Sequence, residues 1–449
     1  VTARTGKKLI VLAISVATWL MLTNVMGASG LLIDTEQSKG SFSAYNPLLW
    51  TQTNRSDFAQ GALFSVDINK LPGNVVLNKK TEYLFAFESN NQRTFWRYNT
   101  TARAWATMAQ TPLNIRNGAS LSFTNTAYIF ALRGAQRNYW RYNISANSWA
   151  TMANTPDDVG RGGFLAYDGG MYIYSLQGNT GRGFWRYNIA SNSWTTLANT
   201  PATVQEGAAL VYGASGYLYA IQSNNQVSFW RYNISANSWA TMANTPQPIN
   251  LGGSLTFNGY NFIYACAGGS QRFFFRYNIT SNTWSYLSNT PGIVRSGGCL
   301  AYDYLDGVYA FAGSSNLFWR YNITTNLWSS EPNTLGTVNG GAAMTAGPAL
   351  FRRNGWINSA VFDTNIPGAK EWGLFWNEST PLATDINFET RASDSLFGGY
   401  PNAPWVNIGS TSPVLSGLPS GRYIQWRAVL TTANLRVTPV LQEVRIYYF

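Results

Sequence analysis

The chain has 449 residues, 45% of them apolar and 11% charged, two cysteines, no histidine and a net charge of +11. The length exceeds one small domain, and the absence of histidine excludes a zinc site of ordinary ligand count and imidazole-based catalysis. The charge does not point to nucleic acid: Arg4, Lys7 and Lys8 sit at the N-terminus, most of the rest is one arginine repeated six times, and no Lys/Arg run remains.

At the N-terminus, Lys7 and Lys8 precede an uncharged run of twenty-five residues from Leu9 to Ile33. The core Leu9–Leu22 suits a signal peptide with cleavage near Ala28-Ser29-Gly30. Leu9–Gly27 also suits a hydrophobic membrane-anchoring helix. Residues 1–33 are therefore a signal peptide or a transmembrane anchor, and both readings export the remainder of the chain. A surface rich in Asn, Ser, Thr and Gln and poor in charge agrees with an extracytoplasmic location, membrane-anchored or secreted. The stretch "GLLIDTEQSKGSFSA" (30–44) resembles the start of exported fibre-forming proteins of the TasA type, in which a leader is followed by Asp-Thr-Glu and a short Phe-x-Ala stretch. Residues 34–72 read as a linker, with 43–70 able to add a strand to the C-terminal domain.

From 73 to 347 the chain repeats. "RYN" recurs at Arg97, Arg141, Arg186, Arg231, Arg276 and Arg320, at spacings of 44 or 45 residues, each followed eight residues later by a tryptophan. "WRYNISANSWATMANTP" occurs identically at 140–156 and 230–246. Each unit holds four short aromatic and β-branched runs bounded by Gly, Asn, Asp and Pro, which predicts four strands with tight turns. A lone four-stranded sheet cannot cover both of its apolar faces, whereas stacking copies around an axis buries both. The tryptophans are expected between sheets. The repeated arginines are expected to pack along their stems and reach carbonyls or a neighbouring sheet.

The paired glycines, the Tyr-Asn turn and the Trp eight residues after Arg resemble the kelch repeat. The resemblance implies an all-β, six-bladed β-propeller of four-stranded antiparallel blades. Closure falls either to "NVVLN" (74–78), as first strand of the first blade, or to "GAAMTAG" (341–347), returning to pair there; the second is preferred. Some kelch propellers are copper enzymes of the galactose oxidase type. Their copper site requires histidine, so that activity does not carry over.

Residues 348–449 lack the repeat. Alternation in "RYIQWRAVL" and "VLQEVRIYYF" predicts half-exposed strands and a β-sandwich, similar to modules appended to exported proteins. Such modules often bind carbohydrate. Trp372, Trp376, Trp405 and Trp426 either fill the core or stack on sugars, with Trp405 and Trp426 the candidates for stacking.

Sequons occur at Asn54, Asn99, Asn143, Asn233, Asn278, Asn322 and Asn377, and these are glycan acceptors or turn formers. Cys266 and Cys299 are two buried apolar residues or a disulfide. Asp157-Asp158 is a solvated turn or a minor calcium ligand, and Glu206, Asp303 and Asp306 form no defensible catalytic pair. The expectation is a non-enzymatic protein without cofactor or metal, and without a nucleic-acid partner. It is exported or held at the cell surface, touches a membrane through the leader if uncleaved, and contacts proteins, glycans or its own copies in an envelope assembly or filament. The alternatives are a carbohydrate-binding module and an accessory subunit of a membrane complex.

Overall fold

A computed structural model describes residues 32–33, 43–44, 48–69, 73–89, 91–213, 215–369, 372–396 and 403–448. The leader lies outside the described residues except for Leu32–Ile33, which pairs with Ser43–Ala44. Among the described residues no helix is long and apolar enough to cross a membrane. The only helical element among them is the turn Arg55–Phe58, capped by Asn54; the rest of the regular structure is strand.

Six four-stranded antiparallel sheets occupy the repeats. In the second copy the strands are Ser120–Phe123, Tyr128–Leu132, Tyr139–Asn143 and Ser148–Thr151, paired in sequence order from the inside outward. The same order recurs at 164–196, 209–241, 254–286 and 299–331. The first copy has only three consecutive strands, Tyr83–Phe87, Phe95–Asn99 and Ala104–Thr107. Its inner strand comes from the far end of the repeats: Ala343–Ala346 pairs with Tyr83–Phe87. Each inner strand touches the inner strands of two neighbours, and the succession returns from Ala343–Ala346 to Ser120–Phe123. The arrangement is compatible with a β-propeller-like fold.

The strand "FWRYN" shows why the copies are alike. Its side chains alternate between the two faces of the sheet. Trp96 and Tyr98 join one buried cluster, and Phe95 joins another with the next sheet. Phe95 meets Tyr142 edge-on at 4.8 Å between centroids, Tyr139 meets Tyr187 at 4.8 Å, and Phe184 meets Tyr232 at 4.8 Å. The contact continues through Tyr277 and Tyr321 and closes when Phe318 meets Tyr98 at 5.0 Å. Such aromatic pairs are worth about 0.5–1.5 kcal/mol each beyond the area they bury. Trp149 Nε1 donates to Ala109 O of the preceding sheet at 2.9 Å; Trp194, Trp239, Trp284 and Trp328 do the same to Ala153, Ala198, Ala243 and Ser288. Trp105 completes the circle by donating to Pro332 O at 3.0 Å.

The repeated arginines depart from expectation. Rather than reaching carbonyls or a neighbouring sheet, Arg141, Arg186, Arg231 and Arg276 lie 4.4 Å over Tyr128, Tyr172, Tyr217 and Phe262 of their own sheets. A planar guanidinium stacks on a ring face more cheaply than it loses water to a buried carbonyl. In the last copy Gly307 stands where the ring would be, and Arg320 turns to Asp306 and Asp303 instead.

The remaining strands form two further sheets. Trp372–Ser379 and Leu48–Gln52 flank Val440–Tyr448, while Thr384–Ser393, Tyr423–Thr432 and Asn354–Asn358 lie side by side in the other sheet. One buried cluster spans both, with Trp372, Leu374, Val444 and Ile446 from the first and Ile386, Phe388, Trp426 and Leu430 from the second. Val75–Leu77, within the stretch named as an alternative first strand of the repeats, instead pairs with Val440–Tyr448 and Val66–Asp67. The repeats therefore begin after 77, and the boundary at 73 shifts. Thr81 ties the two parts together: its N–H donates to Asp303 O at 2.9 Å, and its hydroxyl is 3.2 Å from Pro348 O.

Candidate functional site

Identical residues in every copy are engaged in packing. A site should therefore be sought where equivalent positions differ and face shared space. The inner strands surround a cavity of about 450 Å³ on the ring axis. Their inward edges expose backbone N–H groups, and neighbours satisfy several of them: Ser120 Oγ accepts from Leu165 N at 3.0 Å, Ser254 Oγ from Leu300 N at 3.1 Å, and Thr345 Oγ1 from Phe123 N at 3.3 Å.

At the start of each inner strand a glycine with positive φ packs against the backbone of the next copy. A Cβ on Gly118 would collide with Gly160 O, and one on Gly341 would collide with Arg116 O, which closes the succession. The residue before this glycine differs in every copy: Asn117, Arg161, Glu206, Leu251, Ser296 and Gly340. Five of the six form one polar chain across the mouth. With its amide oriented to donate to Gly340 O at 2.7 Å, Asn117 accepts from Arg161 Nε and Nη2 at 3.1 and 3.2 Å. Arg161 Nε lies 3.7 Å from Glu206 Oε2, and Ser296 Oγ donates to Glu206 Oε1. The Glu206 side chain is 12% exposed and that of Arg161 61%. Both Glu206 oxygens thus have a partner across the mouth, one in Arg161 and one in Ser296. The other end of the cavity is aromatic, with Phe123, Tyr167, Tyr212, Phe257 and Tyr302 at one strand position.

Among the described residues no group of three or more His, Cys, Asp or Glu is placed to hold a metal. Asp157 and Asp158 lie on an exposed turn, where Asp157 Oδ2 accepts from Gln177 Nε2 at 3.1 Å. Asp303 is wholly buried. Burial pushes its carboxyl above the usual range, while two backbone N–H bonds and Arg320 oppose that shift.

Cys266 and Cys299 are free and buried, so the disulfide alternative is not realised. They lie in different buried clusters, and Cys266 Sγ donates to Gly252 O at 3.3 Å. Burial pushes the Cys266 thiol up to about 12 and Cys299 well above its ordinary value.

Trp426 is also not a sugar platform. It is 0% exposed and packs on Phe58 and Phe388 in the core between the two sheets. Trp372 and Trp376 are likewise buried. Trp405 is half-buried, with Arg391 4.6 Å and Arg427 4.2 Å from its ring.

Asn54 and Asn377 are exposed, and the five "RYN" asparagines are half-buried. In the "RYN" turn the Asn Oδ1 accepts backbone N–H groups; Asn99, for example, takes Thr101 N at 2.9 Å and Ala102 N at 2.8 Å. Asn188, followed by Ala190, makes the same turn without a hydroxyl, so the turn alone does not require the sequon. Asn322 differs, because its Nδ2 donates to Asp306 Oδ2 at 2.9 Å.

No protein-family model matches the chain, and no curated protein matches it in sequence.

Proposed function

We propose that the chain is a non-enzymatic structural and interaction protein, exported or held at the cell surface. In this reading the repeats form a six-bladed kelch-type propeller, the other two sheets form a β-sandwich, and together they present loops to protein or glycan partners in an envelope assembly or filament. One observation carries it: the residues copied in every repeat are engaged in the frame, the aromatic rings joining neighbouring sheets, as in the indole bonds from Trp149 to Ala109 and from Trp105 to Pro332, and the arginines stacking within their own sheets. A protein whose copied residues serve only its frame acts through the loops in which the copies differ.

The test is surface labelling of intact source cells with a membrane-impermeant reagent, together with N-terminal sequencing of the native protein. Labelling, with the leader either removed or embedded in membrane, supports the reading. Protection from the reagent in intact cells but not in lysed ones contradicts it. A second reading, sugar stacking on Trp405, rests on that ring's position outside the core. It predicts glycan-array binding that Trp405→Ala abolishes.

A further inference from the structure

The geometry points to the loop face around the axial mouth as a docking surface for an acidic polysaccharide. The inference deepens the surface-protein reading and rests on it for the source of the ligand. In antiparallel sheets the loops that lead into the inner strands and those between the second and third strands fall at the same end. Bridges such as Gln136↔Val159 and Gln226↔Ile249 join the two sets. The tie through Thr81 to Asp303 places the second part of the molecule at the opposite end.

This loop face carries arginines in a repeated arrangement of its own. Four residues before the "RYN" arginine stand Arg93, Arg137, Arg182 and Arg272, with Val227 and Asn316 in the other two copies. Each of the four donates Nε to the carbonyl of the threonine in the adjacent loop, at 2.5 to 2.7 Å: Thr111, Thr155, Thr200 and Thr290. The bond fixes the stem and leaves the two terminal nitrogens directed away from it. All four residues are exposed. Arg116 and Arg295 are exposed beside the mouth. Burial and the neighbouring Arg116 lower the pKa of Arg133. None of these seven has a carboxylate partner among the described ion pairs, in which only Arg161 of this face is matched, to Glu206.

The charge is uneven. Three successive copies hold Arg93, Arg116, Arg133, Arg137, Arg161 and Arg182, whereas the copy at 209–241 has no arginine in its second-to-third-strand loop. The result is an arc of arginines, interrupted by the exposed Asp157 and Asp158 and by Glu88 and Glu206, and such an arc suits an extended chain with spaced charges better than a compact ion. The described loops of this face carry no lysine. Arginine's planar fork binds carboxylate and phosphate bidentately, so the choice between an acidic polysaccharide and a nucleic acid falls to the rings. A single-stranded nucleic acid would also need a row of exposed rings to stack on; here one exposed ring, Tyr286, borders the face, its hydroxyl accepting from Gln247 Nε2, and the other exposed large apolar residues are Leu113, Leu251, Ile293, Leu317 and Leu335. A polysaccharide bearing carboxylates fits both observations.

The test is binding of polygalacturonate to the full chain at low salt, with neutral dextran and a single-stranded oligonucleotide as comparisons. The expected result is binding to polygalacturonate that weakens with salt, with none to dextran. Replacing Arg93, Arg137, Arg182 and Arg272 together with Gln lowers affinity at least tenfold. Arg116→Gln with Arg295→Gln, which removes no backbone bond, lowers it at least threefold and serves should the fourfold variant fail to fold. Removing three charges from the other part, with Arg352→Gln, Arg353→Gln and Arg436→Gln, leaves affinity within twofold. Absence of binding, equal loss in this last variant, unchanged affinity in the loop variants, or tighter binding of the oligonucleotide would overturn the proposal. Because the assay uses purified protein, its outcome is independent of where the chain is found in cells.

Discussion

Arg103 Nε donates to Glu331 Oε2 at 3.0 Å across the junction of the first and last repeats, where every other junction uses an asparagine. Asn147, Asn192, Asn237, Asn282 and Asn326 each accept a backbone N–H from the preceding copy, as Asn147 does from Ala109 N at 2.9 Å. At the closing junction the corresponding residue is Pro332, which has no N–H to give. An asparagine there would lack its donor. Arg103 takes its place and bonds Ser330 O and Glu331, and Glu331 also accepts from Tyr98 Oη at 2.6 Å.

The junction yields a paired test. Glu331→Ala leaves the buried Tyr98 hydroxyl without its acceptor and costs about 1–3 kcal/mol in urea denaturation. The triple variant Arg103→Asn, Glu331→Met, Pro332→Ala rebuilds the junction used elsewhere and recovers most of that loss. A triple variant less stable than Glu331→Ala would contradict the role given to Pro332.

Arg320 should matter more than its five counterparts. Arg231→Ala removes a stacking contact, worth about 0.5–2 kcal/mol. Arg320→Ala leaves the wholly buried Asp303 without its cation and costs about 3–5 kcal/mol. The folded pKa of Asp303 is already raised and would rise further, so the folded state retains a proton that the unfolded chain releases. The deficit should therefore be small near pH 4 and grow as pH rises toward 7. A deficit independent of pH would remove Asp303 from the explanation.

The two thiols should be silent. With both buried and their pKa values raised, iodoacetamide at pH 8 modifies neither Cys266 nor Cys299 in the folded protein, and it modifies both in denaturant without reductant. Intact mass spectrometry reads both outcomes. A need for reductant before denatured labelling would mean that they are linked.

Alkaline pH should open the ring. Burial holds Tyr142, Tyr187 and Tyr232 up at about 12, against about 10 for exposed tyrosine. Between those values the unfolded chain loses protons that the folded one keeps, so stability falls as pH rises from about 10 toward 12. Tyrosine ionisation followed by absorbance should coincide with loss of near-ultraviolet dichroism. Gradual ionisation with the dichroism intact would show that these rings lie outside the junctions.

The repeated strands were legible because one packing problem is solved with the same letters each time. Trp426 was only half legible: alternation in 423–430 sets Ile424, Trp426, Ala428 and Leu430 on one face and Tyr423, Gln425 and Arg427 on the other, but a tryptophan on one face of a strand suits a sugar platform as well as a core until the sheet that covers it is known. The pairing of Val75–Leu77 with Val440–Tyr448 was not legible, because a short apolar run carries no mark of its distant partner. The polar mouth was hidden for a related reason: Asn117, Arg161, Glu206 and Ser296 lie scattered along the chain, and only ring closure brings them together. The loop arginines did leave a signal, four residues before each "RYN" arginine in four of the six copies.

The closed ring is tested most directly by single-particle electron microscopy of the purified full chain. The expected image is a ring of six wedges about an axial cavity, with density joining Ala343–Ala346 to Tyr83–Phe87 in one wedge. An open stack of sheets, a different number of wedges, or a gap between the first and last repeats would contradict it.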